Sequence, residues 1–288
     1  MRKTFPIAAY IELTKPNILT MVLVTTTIGF FLGGHGLHSL SLLFFTLLGA
    51  ALTCAGASAL NHYLERDADS KMKRTQNRPI PKGIISPSNA MSYGIVLVLF
   101  GIFILCWKVN LLTAFLSLLT AFLYILVYTP MKKLSWLNTT IGAIPGAIPP
   151  MGGWAAATGG LDSGAWVLFL ILFAWQHPHF YAIAWMFKED YRSAGFKMLP
   201  VIEPDGVRTF RQILFFSILL IPISILPTII GMTGRIYLIG AMASSVGLLL
   251  LGISLATTTS IFDARKLLKA TVIYLPILLF LIIIDVSF

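Results

Sequence analysis

Long runs of apolar residues, separated by short polar stretches, dominate the pattern of this chain. A helix of about 20 apolar residues crosses the ~30 Å hydrocarbon core of a bilayer, and the runs have that length. The pattern therefore predicts an all-α polytopic membrane protein. Its bundle is expected to contain nine transmembrane helices, at about 18–35, 39–60, 91–108, 111–129, 139–157, 164–187, 212–231, 236–257 and 270–287.

The composition supports this interpretation. Of the 288 residues, 57% are hydrophobic and only 11% are charged, with a mean hydropathy of +0.86, whereas about 25% of the residues of a soluble domain are charged. The two cysteines, Cys54 and Cys106, fall within apolar runs and predict neither a disulfide framework nor a metal site. We expect one membrane-embedded domain over residues 1–288, with an N-terminus that is retained because no small-residue cleavage site precedes the first span.

Positive charges lie almost entirely on one side of the predicted membrane. Bases precede the first span and recur after every second span, and only Lys108 and Arg235 fall on the other side. Because cytoplasmic loops are enriched in Lys and Arg, the N-terminus, with Arg2, Lys3 and Lys15, is predicted to be cytoplasmic and the C-terminus external, in the plasma membrane of a bacterium. Anionic membrane lipid accounts for the net charge of +10, so no nucleic acid is expected as a partner.

A polar stripe is predicted where the second span reaches the cytoplasmic side. If the helix that begins before Ala51 continues, Asn61, Glu65 and Asp69 lie on one face, each rotated by about 40° from the last, and Asp67 points elsewhere. Two carboxylates and an amide oxygen suit Mg²⁺, which takes oxygen ligands and usually binds one or two carboxylates together with substrate phosphates. These three residues are the predicted metal ligands.

Arg74 and Arg78 repeat the four-residue step just beyond that stripe. Guanidinium groups offer fork-shaped pairs of donors that match phosphate oxygens. The whole segment therefore predicts a site for a metal and a diphosphate at a membrane surface. The alternative is a solvated charged loop that only orients the protein, and the sorting of amides, acids and bases onto separate faces disfavours it.

The acidic residues concentrate in two long loops, 61–90 and 188–211, which lie four spans apart. This spacing suggests a pseudo-repeat of two four-helix halves within the single domain. In the second loop, Glu189 and Asp190 follow span six with bases on both sides. If they end that span, they could face the first acidic stripe and hold a second metal or the far end of a diphosphate.

Two spans have unusual interiors. Span five is rich in residues that distort helices or admit close neighbours, which predicts a kinked helix that packs tightly or lines a ligand: Gly142, Pro145, Gly146, Pro149, Pro150, Gly152 and Gly153.

In span six, His177 and His179 flank a proline. An ionisable group inside a membrane costs free energy, so it is by default a candidate for a function. They are candidates for axial haem ligation or substrate docking, against the alternative of hydrogen-bonded core residues.

These stretches resemble the motifs of the UbiA-type intramembrane prenyltransferases, and specifically those of the haem-modifying branch, the protohaem IX farnesyltransferases (haem O synthases). The resemblance rests on the Asn61, Glu65, Asp69 step and its basic extension, and on the segments 128–133, 138–142, 149–154, 175–180 and 190–200. Two positions depart from the wider pattern. Glu65 stands where Asp is usual and must seat a metal differently, and Asp190 is followed four residues later by Ala194 where paired Asp residues are common, which disfavours a second metal.

The resemblance implies transfer of a farnesyl group from farnesyl diphosphate to a vinyl group of haem B, a substrate, with Mg²⁺ as cofactor. Arg74, Arg78 and Lys133 would bind the diphosphate. A cation formed from the farnesyl group would be sheltered by aromatic rings. The other implied substrate-binding residues are Tyr128, Trp154, Trp175, Asp190 and one of the two histidines, His177 or His179, on the iron. A haem A synthase is the implied neighbour in the cell.

Three other functions remain open at this point. The nearest is a prenyltransferase that acts on a quinone precursor or another tetrapyrrole, which the His177-Pro-His179 pair disfavours. A transporter of haem or of a lipid diphosphate would also have kinked helices, but the acids here cluster at one membrane face rather than at the midplane. A non-catalytic assembly factor would leave the sorted polar stripe without a role.

Overall fold

The computed structural model describes residues 6–287, so Arg2 and Lys3, used in the orientation argument, lie outside the described part of the chain. Within that part the chain is helical, with one isolated antiparallel bridge between Thr233 and Val286. The helices are α1 (Ile7–Leu13), α2 (Pro16–Gly33), α3 (Leu40–Asp69), α4 (Pro87–Lys108), α5 (Leu111–Phe122), a π-helical segment (Leu123–Tyr128), α6 (Thr129–Leu134), α7 (Asn138–Ala147), α8 (Pro149–Thr158), α9 (Ser163–Met186), α10 (Lys188–Ser193), α11 (Leu199–Ile202), α12 (Val207–Ile229), α13 (Arg235–Thr258) and α14 (Ile261–Ile284).

The chain passes back and forth between the two ends of one bundle. Lys15, just before α2, bonds Asn61 in the last third of α3 at 2.6 Å, so both lie at the same end. The chain finishes beside the α12–α13 connection, where Val286 pairs with Thr233. Helices α7 and α8 together connect α6 to α9.

Eight helical segments of the described chain are long and apolar enough to cross a membrane, counting Leu111–Leu134 as one. The predicted fifth span is instead two ten-residue helices, α7 and α8, which meet at Ile148. Prolines 149 and 150 lack the N–H that a regular helix needs, so the predicted distortion of this segment is confirmed. The nine-span topology, the sidedness and the pseudo-repeat stay predictions.

The two boundaries that differ most from those expected from apolar runs are the end of α3 and the start of α14. Helix α3 continues past the predicted end at residue 60 to Asp69, as the polar stripe requires. Helix α14 begins at Ile261 rather than at 270, because its first turns accommodate charge. The Ser260 hydroxyl caps Asp263, whose carboxylate lies 3.2 Å from Lys266.

Glycines bring α2 and α8 into backbone contact. A Cβ on Gly153 of α8 would lie 1.9 Å from the carbonyl oxygen of Thr26 in α2, and one on Gly29 would lie 1.9 Å from that of Pro150. Small residues at helix crossings are a usual means of close packing in membranes. The α2–α8 contact therefore holds these two helices directly against each other.

We expect Gly153→Ala to destabilise the protein by about 1–3 kcal/mol, because the new methyl group must push α2 and α8 apart. The matched control is Gly152→Ala, where a Cβ meets no atom within 4 Å. Thermal unfolding of both variants in detergent checks this. Equal midpoints for the two variants would contradict the proposed backbone contact.

Candidate functional site

A cavity of about 650 Å³ opens inside the bundle. Most of its wall is apolar and comes from α2, α3, α5, α7, α9 and α14. One end differs, since charged side chains gather there from the start of α2, the end of α3, the following loop and α6. These are Lys15, Glu65, Asp69, Arg74, Arg78 and Lys132.

The polar stripe on α3 forms as predicted. Asn61 and Asp69 are fully buried, Glu65 is 6% exposed, and the side chain of Asp67 points into solvent. Glu65 and Asp69 line the cavity, whereas Asn61 lies behind Lys15 and also donates to the hydroxyl of Thr129 at 3.0 Å. The two carboxylates are therefore the members of the stripe that a bound ligand meets directly.

Each acceptor on the stripe has its own base. Lys132 lies 2.6 Å from Glu65, Arg78 lies 2.7 and 2.8 Å from the two carboxylate oxygens of Asp69, and Lys15 donates to Asn61 Oδ1 at 2.6 Å. Buried charges require such partners, because removal from water penalises an unpaired ion. With Arg74 at the rim, four bases face two carboxylates, so this end of the cavity attracts anions.

Lys15 is a site residue that the sequence analysis treated only as a flanking charge. It also donates to the hydroxyl of Tyr124 at 3.1 Å, and burial lowers the pKa of Lys15 to about 7, with the nearby Arg78 guanidinium acting in the same direction. Its backbone is left-handed, with φ 52°, immediately before Pro16. The sequence offered one signal that Lys15 belongs to the site, namely a base directly before the proline that begins the first span.

Lys132, and not the predicted Lys133, reaches the cavity. Lys133 is exposed and does not line it, while the Lys132 ammonium lies 4.6 Å from the centre of the Tyr128 ring. Position 132 therefore replaces position 133 as the candidate phosphate-binding lysine.

The two long loops meet above the charged end. The backbone N–H of Arg74 donates to Asp190 at 3.3 Å and its guanidinium donates to the hydroxyl of Tyr191 at 3.3 Å. Asp190 does not line the cavity, and Glu189 pairs with Arg192 on the surface. The second loop therefore reaches the cavity through Tyr191, Phe196 and Met198, whereas Asp190 holds the Arg74 backbone and Glu189 pairs on the surface.

The charged end suits a metal only when a ligand completes the coordination. Within residues 6–287, no three His, Cys, Asp or Glu side chains are arranged to hold an ion by themselves. Glu65 and Asp69 supply two carboxylates on one helix face, which is the usual protein contribution to a Mg²⁺ site that also includes substrate phosphates. The donor set therefore fits Mg²⁺ bound together with a phosphorylated ligand.

The predicted aromatic residues divide into two groups. Tyr128 and Trp175 line the cavity, and the indole of Trp175 is held by a 2.8 Å bond to the carbonyl of Thr271. Trp154 does not line it and instead packs against Gly33 and Gly164 in the core. Trp154 thus contributes to packing in this structure.

The two histidines of α9 also separate. His177 is fully buried, its ring stacks on Phe216 with centroids 3.4 Å apart, and its Nδ1 lies 2.8 Å from the carbonyl of Phe173. That nitrogen must carry the proton, because a carbonyl can only accept, so Nε2 accepts from Thr140 at 3.3 Å.

His179 lines the cavity. Its Nδ1 pairs with the hydroxyl of Thr271 at 2.9 Å and its ring stacks on Trp175 at 5.2 Å. The described chain gives its Nε2 no hydrogen-bond partner. His179 therefore presents a free imidazole nitrogen to the cavity, whereas both nitrogens of His177 are occupied.

Comparison with known proteins gives a consistent result. Residues 22–282 match the model of the UbiA prenyltransferase family. A protein named protoheme IX farnesyltransferase from Solibacter usitatus is 45% identical over 96% of this chain and 98% of its own length. Proteins of the same name from Salinibacter ruber and Aquifex aeolicus are 44% and 37% identical, over 96% and 97% of this chain and 98% and 95% of their own lengths.

Solved structures show the same fold at low sequence identity. A digeranylgeranylglyceryl phosphate synthase superposes with a TM-score of 0.82 over 99% of both chains, at 20% identity. A UbiA homologue from Archaeoglobus fulgidus, bound to GPP and Mg²⁺, superposes with a TM-score of 0.69 over 95% of this chain and 99% of its own, at 17% identity.

The Glu65–Lys132 pair gives a test of the charged end. We expect Glu65→Gln and Lys132→Met each to destabilise the protein by about 3 kcal/mol, because each leaves the other charge buried without a partner. The double variant should recover most of that loss. Thermal unfolding checks this, with the exposed Lys133→Met as the control. Additive losses in the double variant would show that the pair is not coupled.

Proposed function

The chain belongs to the UbiA prenyltransferase family and is a prenyltransferase, and we propose that it transfers a farnesyl group from farnesyl diphosphate to a vinyl group of haem B, giving haem O. The observation that carries this proposal is a cavity that joins a cationic end to an apolar chamber with a free imidazole nitrogen. Its relatives named protoheme IX farnesyltransferase, which align over nearly their whole length, support the choice of substrates.

The diphosphate would bind at the charged end. Lys15, Arg78 and Lys132 can turn their donors from the α3 stripe to phosphate oxygens, and Arg74 can add to them from the rim. Glu65 and Asp69 would hold Mg²⁺ against the same diphosphate, as the Mg²⁺-bound A. fulgidus homologue suggests. The metal would supply positive charge that stabilises the leaving diphosphate.

The apolar part of the cavity would receive the farnesyl chain and the porphyrin. Departure of diphosphate takes the electron pair of the C–O bond and leaves an allylic cation that water would capture if it entered freely. The apolar wall excludes bulk water, and the Tyr128 ring at the border of the charged end offers its electron-rich face. The vinyl π electrons of haem B then form the new carbon–carbon bond.

His179 is the residue proposed to ligate the haem iron. Its Nδ1 is fixed by Thr271 and its ring by Trp175, so its Nε2 is held in one direction toward the cavity. A partner that fixes one imidazole nitrogen commonly orients the other toward a metal. His177 has no free nitrogen in the described chain and is proposed to hold α9 against α7 through Thr140.

The setting of the reaction follows from the same proposal. The chain is a multi-pass membrane protein with bacterial relatives. We place it in the plasma membrane with the charged end facing the cytoplasm, where most of its bases lie. We predict that its partner is a haem A synthase, which would consume the product.

The activity can be tested directly with purified protein in detergent. Haem B, farnesyl diphosphate and Mg²⁺ should give a porphyrin that carries one farnesyl and one hydroxyl group, identified by mass spectrometry. A chelator should abolish turnover, and Asp69→Ala should reduce it by at least about 100-fold. A parallel reaction would supply a quinone precursor in place of haem B. If only this reaction gave a prenylated product, the acceptor would be a quinone precursor.

The histidine assignment predicts unequal variants. His179→Ala should lose the absorption spectrum of a histidine-ligated haem and weaken haem binding by about tenfold or more. His177→Ala should keep that spectrum and instead lower the unfolding temperature, because it removes a ring packed on Phe216. The reverse pattern of spectra would assign the iron to His177.

A further inference from the structure

Gln176 holds an amide oxygen in the cavity wall that has no donor from the described chain. The residue lies on α9, lines the cavity and is 4% exposed. Its Nε2 donates to the carbonyls of Ala143 and Leu172, both at 3.1 Å. Because only the amide nitrogen can donate, these two bonds fix how the amide is turned. Oε1 must therefore point away from both carbonyls.

Gly146 provides the space that Oε1 occupies. A Cβ at this position would lie 2.0 Å from Oε1 and 2.9 Å from the amide carbon of Gln176. Gly146 lines the cavity, and its own carbonyl lacks the usual helical donor because residue 150 is a proline. Two hydrogen-bond acceptors thus lie beside each other, one on α9 and one on α7, and a bound molecule can supply their donors.

The proposed substrates do not bring one. This step rests on the proposed function. Farnesyl diphosphate offers only acceptor oxygens and hydrocarbon, and haem B, with ionised propionates, offers acceptors and hydrocarbon as well. Water has O–H groups, and so does the hydroxyl group of the product. The ligand chemistry that fits the Gln176 oxygen is therefore a water molecule or the alcohol made from it.

We propose that Gln176 Oε1 binds the water molecule that adds to the prenylated vinyl group of the porphyrin. A water molecule in an otherwise apolar pocket needs two or more polar partners to stay bound. Gln176 Oε1 and the Gly146 carbonyl supply two acceptors for its hydrogens and leave its lone pairs free for attack. Gln176 lies one turn before His179 on the same face of α9, so the water and the porphyrin share one wall.

The atoms of this step balance without a further reagent. Formation of the carbon–carbon bond leaves a cation on the vinyl carbon next to the porphyrin ring. A water lone pair forms the C–O bond, an O–H bond breaks, and the departed diphosphate takes the proton. Without a positioned water, the same cation loses a proton from the adjacent carbon to diphosphate and becomes an alkene. That product is lighter than haem O by one water.

The ratio of alcohol to alkene therefore reports on Gln176. Gln176→Met should lower this ratio by about tenfold or more, since it removes one hydrogen bond to the attacking water, while farnesyl transfer continues. Gly146→Ala should shift the ratio in the same direction, because its methyl group displaces Oε1. Gly247→Ala, a helix glycine outside the cavity wall with free space around it, should match wild type.

Mass spectrometry of single-turnover products in water labelled with heavy oxygen measures the ratio. The haem spectrum confirms that each variant is folded, and if Gln176→Met is not, Gly146→Ala decides. Wild-type ratios in the folded variants would overturn the water site and leave the proposed function intact. A wild-type protein that makes no prenylated porphyrin at all would overturn both proposals.

Discussion

Placing charge inside an apolar bundle is the constraint on which this site depends. A charge removed from water must find a partner, and at this end of the bundle the partners of the α3 carboxylates come from segments outside α3. Glu65 on α3 meets Lys132 on α6, and Asp69 meets Arg78 in the following loop. These contacts fix α3, α6 and the loop relative to one another. The same requirement that holds the site together therefore also determines its shape.

Close helix packing determines the rest of the cavity. Gly153 and Gly29 let α8 and α2 meet backbone to backbone, and Gly146 lets the amide of Gln176 approach α7. Prolines interrupt the regular hydrogen bonds of the α7–α8 segment and leave backbone carbonyls without donors. This wall is therefore tightly packed and mostly apolar, with a few polar groups, which is the combination that the proposed water site needs.

Local spacing was sufficient for part of the site and insufficient for the rest. The four-residue step on α3 predicted the stripe, because it depends only on helix geometry. The choice between Lys132 and Lys133 depends on the π-helical segment just before them, whose wider turn offsets the register of the residues that follow. Lys15 and Gln176 were missed because their partners lie far away in the sequence. For the histidines, residues two apart on a helix face different directions, so the sequence already implied that only one of them would face a given cavity.

The ion pairs at the charged end have a consequence for which solutes can enter. Since Lys132 and Arg78 already have carboxylate partners, a small monovalent anion would gain one interaction while an internal one was lost. Chloride or a carboxylate metabolite would find no net advantage in that exchange. A ligand with several negative charges on adjacent oxygens can engage three or four bases at once and bring a cation for the carboxylates it displaces. The internal pairs thus favour ligands with several negative charges over the simple anions of the cell.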